Sequence, residues 1–155
     1  MRLSLKMLCV AVAIILVAGI LPATAKAGTQ VKCDKKLESQ WHTQPEPKDW
    51  DGLYHLYKQF GVCDDGVIGE RFSRDVAQLF SKQWTHLDTL DHLTAADKAF
   101  ERFVLRHVDR SLDEDELMRI ADDSKSRCPT GEKRLCGLVH ARAQDSLDEQ
   151  RDASE

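Results

Sequence analysis

Apolar residues recur every three or four positions along most of this chain and nowhere alternate strictly with polar ones. That spacing selects helices over strands. The clearest stripe is Trp50, Leu53, Tyr54, Tyr57 and Phe60, which share one face of a helix predicted over 49–60. Asp49 supplies its start cap. Gly61 is expected in the left-handed region just past its end, with Val62 folding back on Tyr57. A second stripe, Ile68, Phe72, Val76, Leu79, Phe80 and Trp84, predicts a helix over 66–84 capped by Asp64 or Asp65. Its outward face is expected to carry Glu70, Arg71, Arg74, Asp75, Lys82 and Gln83. Gly69, inside that helix, costs about 1 kcal/mol against alanine and points to a close approach of another backbone.

The remaining pattern is weaker. Leu87, Leu90 and Leu93 recur every three residues in THLDTLDHL, which fits a short helical connector over 85–93. Thr94 with Asp97 has capping-box spacing and opens a helix to Val108, with Phe100, Phe103, Val104 and His107 inward. Ser111 with Glu114 repeats the pattern for a helix to Ser126 that buries Leu117, Ile120 and Ala121. After Cys128-Pro129, Thr130 caps a last helix with Leu135, Leu138, Val139 and Ala143 inward. Beyond Ser146 the charged, aperiodic residues 147–155 read as a frayed tail. Upstream, 28–48 is polar, with Pro45 and Pro47. It reads as an arm with a short helix over 34–41, anchored by Trp41, and then an extended linker. The expected fold is all-α: a compact bundle of about five short helices forming one domain over 49–146.

The N-terminus changes the picture. Arg2 and Lys6 precede 15 uninterrupted apolar or glycine residues, Met7 to Leu21, and Ala25-Lys26-Ala27 offers a cleavage site. This is the order of a secretory signal peptide over 1–27, with a cut after Ala25 the neighbouring option. The apolar run is shorter than the roughly 20 residues of a membrane helix, so cleavage is expected rather than retention as an anchor. Four cysteines then remain, Cys33, Cys63, Cys128 and Cys136. An even number in an exported chain reads as two disulfides. Three pairings exist, and sequence proximity favours Cys128–Cys136, with Cys33–Cys63 following. The rival reading, a zinc site, lacks paired C-x-x-C spacing. Cleavage removes Arg2, Lys6 and Lys26 from 22 basic residues and none of the 26 acidic ones, leaving a formal charge of −7. Such a chain is not expected to bind nucleic acid or an anionic membrane.

Candidate chemistry is sparse. Aligning GVCDDGVIGERF with a calcium loop puts Gly61, Cys63 and Phe72 at ligand positions, so Asp64 and Asp65 read as helix caps. The densest group of metal-ligand or proton-transfer types is His86, Asp88, Asp91 and His92. On a helix Asp88 and His92 share a face, but His86 lies about 120° from His92. A polar connector is therefore preferred to a metal site. His107 falls on an apolar stripe and reads as a core histidine. His55 is expected to pair with Asp51, and His42 and His140 have no evident partner. The chain has no G-x-S-x-G elbow and no distinguishable acid–base pair. The resulting expectation is a periplasmic or secreted helical protein without a cofactor. It would bind another protein, as an inhibitor, immunity protein or chaperone does. The alternative is a metal-dependent or hydrolytic envelope enzyme using the His86–His92 segment.

Overall fold

In a computed structural model, which describes residues 32–155, aspartate side chains open four helices. Asp34 accepts from the Leu37 amide and Asp49 from Gly52, each at 2.8 Å. Asp65 accepts from Gly66 at 2.8 Å, and Asp97 from Ala99 and Phe100 at 2.9 and 3.1 Å. Each satisfies amides that have no partner in the first turn. The helices are α1 (Lys35–Trp41), α2 (Trp50–Phe60), α3 (Gly66–Lys82), α4 (Leu87–Ala96), α5 (Lys98–Arg106), α6 (Glu114–Ser126) and α7 (Lys133–Asp152). Tight 3₁₀ turns at Gly61–Cys63 and Trp84–His86 join neighbours. No strand occurs among the described residues, so the fold is all-α, with seven helices where about five were expected. The additional ones are the arm helix α1 and the connector helix α4. The signal-peptide reading of 1–27 lies outside the described residues.

Aromatic rings fill the centre. Phe72 of α3 is fully buried between Trp41 of α1 and Phe103 of α5, with ring centroids 4.5 and 4.8 Å away. Tyr57 bridges α2 to Phe100 and Phe103 at 5.1 and 4.7 Å. A second group joins Trp50, Phe80 and Trp84, at 4.9 and 5.8 Å. Helices α6 and α7 make the most extensive pairing, and they run antiparallel. His140, two turns into α7, meets the Ala121 carbonyl in the second half of α6, whereas Gln150 near the end of α7 donates to the Leu112 carbonyl before α6.

Both disulfides form as the sequence suggested, Cys33–Cys63 and Cys128–Cys136. The first fixes the segment before α1 to the turn after α2. The second closes the α6–α7 connection. They close chain separations of 30 and 8 residues, which on the chain-entropy account are worth about 3.5 and 2.5 kcal/mol. Paired Cys→Ser variants should therefore show the larger loss of melting temperature for Cys33/Cys63. Equal losses would mean that the loop-length account does not apply here.

Several local readings need correction. Gly61 is right-handed (φ −59), and the chain continues into a 3₁₀ turn with Val62 exposed. A Cβ at Gly61 would come within 2.8 Å of the Tyr57 ring, so ring packing explains the glycine. Among the described residues, the glycines with positive φ are Gly66 (φ 50) and Gly131 (φ 112). Thr94 does not open a helix: it is buried in α4 and donates to the Asp91 carbonyl, while Asp97 alone caps α5. Helix α6 starts after Asp113 rather than Ser111, and α7 after Glu132 rather than Thr130. Leu138 is exposed, and α7 continues through 147–152, with Ser146 and Leu147 buried. His55 contacts Gln59 at 2.8 Å, not Asp51. Leu56, absent from the predicted stripe of α2, is buried. Asp75, expected on the outward face of α3, is also buried.

Candidate functional site

The segment singled out in the sequence does not gather into a metal site. His86 ends a 3₁₀ turn with its imidazole 3.2 Å from the Thr85 hydroxyl. Asp88 and His92 are exposed on α4. Asp91 accepts from Arg134 of α7 at 2.9 Å, and Arg134 also reaches Glu101 of α5 at 2.6 Å. Arg134 therefore ties three helices together, with Asp91 as its partner on α4. Burial pushes the neighbouring Glu132 carboxyl up, and Asp91 and Asp88 add to it. Among the described residues, no group of three or more His, Cys, Asp and Glu side chains is placed to hold a metal ion.

His107 is a core histidine, as its position on the α5 stripe implied, and its partners form a cluster the sequence did not reveal. Its Nδ1 lies 3.0 Å from the Ser73 hydroxyl of α3. Its Nε2 lies 3.0 Å from Asp64 Oδ1. Ser73 donates in turn to Asp109 at 2.9 Å, and Arg106 pairs with Asp64. Burial raises the Asp64 carboxyl, but His107 and Arg106 outweigh it and hold the group below its ordinary range. Asp109 is likewise lowered, against burial, by bonds from Ser111 and Ser73 and by the His107 charge. Gly69 also finds its reason here: a Cβ would come within 3.2 Å of Asp64 Oδ1, so what approaches closely is a carboxylate rather than backbone.

Serine, histidine and aspartate in contact are the residue types of a nucleophilic triad. Their connection is different. Ser73 is 2% exposed in the middle of α3, and Asp109 and the Gly69 carbonyl both compete with His107 for its hydroxyl proton. The amides around it are inside the helix, so none is free to stabilise an oxyanion. The cluster is better described as a clamp. It joins the loop before α3, the body of α3 and the end of α5, where a cationic group also suits the helix dipole.

An open groove of about 670 Å³ lies between α3 and α6. Glu46, Glu70 and Arg74 contribute to its near side and Glu116 and Arg119 to the α6 side. Its one buried ionisable wall group is Asp75, 3% exposed, whose Oδ2 has no hydrogen-bond partner. Arg71 Nε is 3.7 Å away, but that guanidinium is engaged elsewhere. It donates to the Gln44 carbonyl at 2.9 Å and stacks 4.6 Å over the Trp41 ring. Burial pushes the Asp75 carboxyl up to about 6. Arg71 opposes this, Glu46 adds to it, and Arg74 opposes it. A helical wheel holds the missed signal. Asp75 falls about 60° from Phe72 and beside Ile68, at the edge of the apolar stripe. An elevated carboxyl in such a groove is the kind of group that marks a binding site.

No protein-family model, curated protein or solved structure matches this chain.

Proposed function

We propose that this protein is exported to the periplasm or secreted, and that it works by binding another protein rather than by catalysis. The α3–α6 groove is the observation that favours this reading most. It presents ionised side chains of both signs from two helices, the pattern that gives an interface its specificity and association rate. Two disulfides suit an oxidising compartment, and no helix among the described residues is long and apolar enough to cross a membrane. An inhibitor, an immunity protein and a chaperone are all roles of this kind. Hydrolysis is the second reading, drawn now from Ser73, His107 and Asp64 rather than from 86–92. The burial of Ser73 and its bond to Asp109 weigh against it.

The test is retention. Immobilised exported protein should hold a discrete protein from an extract of the producing cells. A Gln78→Arg/Glu116→Arg variant, which crowds the groove with cations, should release it. Retention of nothing, or of the same protein by both forms, would contradict the proposal. A fluorophosphonate probe addresses the hydrolytic reading and is expected to leave Ser73 unlabelled.

A further inference from the structure

We propose that the α3–α6 groove is a receptor for a single guanidinium or ammonium group, presented by a basic side chain of the partner, with Asp75 Oδ2 as its acceptor. This inference rests on the protein-binding reading and specifies what the groove recognises.

The argument begins with an unsatisfied atom. Asp75 is 3% exposed, lines the groove and has no hydrogen-bond donor at Oδ2. A buried carboxylate without a donor is costly, and incoming chemistry that supplies one relieves that cost. The nearest cation cannot do so. Arg71 stays 3.7 Å away, held by the Gln44 carbonyl and the Trp41 ring.

The surroundings set the sign of the ligand. Arg71 and Arg74 on α3 itself oppose the Asp75 charge, and Glu46 from the α1–α2 connection reinforces it. Across the groove stand Asp113, Glu116 and Arg119, at or just before α6, and Glu70 and Lys82 complete the charged lining from α3. Arg74 and Arg119 are exposed, so solvent screens them, while Asp75 at the wall is shielded from it. Arg71 is less exposed, but its guanidinium is turned to the Gln44 carbonyl and the Trp41 ring. The five carboxylates of the lining outnumber its four cations, so a ligand in the groove meets a net negative charge. The same geometry gives a pH dependence. The Asp75 carboxyl, pushed up to about 6, accepts from a cation when ionised and loses that ability when protonated.

The probe is N-acetyl-argininamide, titrated into the ¹⁵N-labelled exported chain and followed by its amide spectrum, with the citrulline analogue as the neutral control. Saturable shifts should appear at residues 74–78 and 113–119, and citrulline should produce none. Asp75→Asn keeps the shape and removes the charge. It should weaken binding at least about tenfold, roughly what one charged contact supplies. Wild-type affinity should fall between pH 7.5 and pH 5, a readout that does not depend on the variant's folding, and the variant's profile should stay flat at the affinity that remains. A short peptide with one arginine between neutral residues should bind more tightly than the free amide if a protein side chain is the natural ligand. Equal affinity would favour a free small cation and overturn that part of the proposal. Shifts scattered over the acidic surface and unchanged by Asp75→Asn would overturn the site itself. A retained partner without arginine binding would leave the protein-binding reading intact and remove this one. Arginine binding without a retained partner would do the reverse.

Discussion

Phe72→Ala should reduce stability by about 3–5 kcal/mol, the usual cost of emptying a buried phenylalanine site. The ring is fully buried and touches Trp41, Phe103 and His107, so its loss loosens α1, α3 and α5 together. A domain of this size has about 5–15 kcal/mol in total, so the variant is expected to be marginal at 37 °C. Phe80→Ala, which removes the ring between Trp50 and Trp84, should come close behind. Arg74→Ala, exposed on the other side of α3, should change stability by about 0.5 kcal/mol or less. Urea denaturation of the three variants is the check. Similar small effects at all three would mean that the core is not centred on α3.

Asp64→Asn should be the most damaging polar substitution, at about 1–3 kcal/mol, because it replaces the carboxylate that faces both His107 Nε2 and Arg106. The pH dependence carries two opposite signs. Asp64 and Asp109 are held below the unfolded carboxylate value of about 3.9, so they stabilise the fold at neutral pH. That contribution is lost as pH falls through their lowered folded values. Asp75 is raised to about 6, so its ionised form is a penalty in the native state above that pH. The penalty disappears as pH falls from about 6 towards the unfolded value near 4. Wild-type stability should therefore rise between pH 7 and pH 5 and fall below pH 4. Asp75→Asn should stabilise by about 1–2 kcal/mol at pH 7.5, after allowance for water reaching the groove, and should flatten the upper limb. Melts at several pH values measure both. A wild-type curve that declines steadily from pH 7 would contradict the Asp75 assignment.

Helical periodicity made α2, α3 and most of α5, α6 and α7 legible, because a 3.6-residue repeat is imposed by burying one face. The cysteine pairing was legible for a similar reason, as Cys128 and Cys136 are close in sequence. Cap positions were less so. Thr94 and Ser111 had capping-box spacing, yet aspartates three and two residues further on stand at the helix starts. The end of α7 escaped because Gln150 is tied to the carbonyls of Arg110 and Leu112, partners 40 and 38 residues away that no local pattern announces.

The two polar sites failed to show for different reasons. Asp64, Ser73, His107 and Asp109 come together only when α3 packs on the end of α5, and no spacing rule links positions so far apart. Asp75 was visible in principle, from its place beside Ile68 on the winding of α3. A charged residue at the edge of an apolar stripe is easily assigned to solvent, and only the packing of α6 decides otherwise. In contrast, the His86–His92 group is dense along the chain but forms no metal-holding cluster among the described residues: Leu87 and Leu90 turn inward and leave His86, Asp88 and His92 exposed.

The claim that the protein acts through the face between α3 and α6 can be tested by a photo-crosslinking scan in the producing cells. A photoreactive residue would be placed singly at Gln78 and Glu116 in the groove, at Asp51 on α2 and at Gln144 on α7. The account predicts one discrete protein adduct at Gln78 and Glu116 and none at the other two positions. Adducts at Asp51 or Gln144 with the groove positions silent would contradict it.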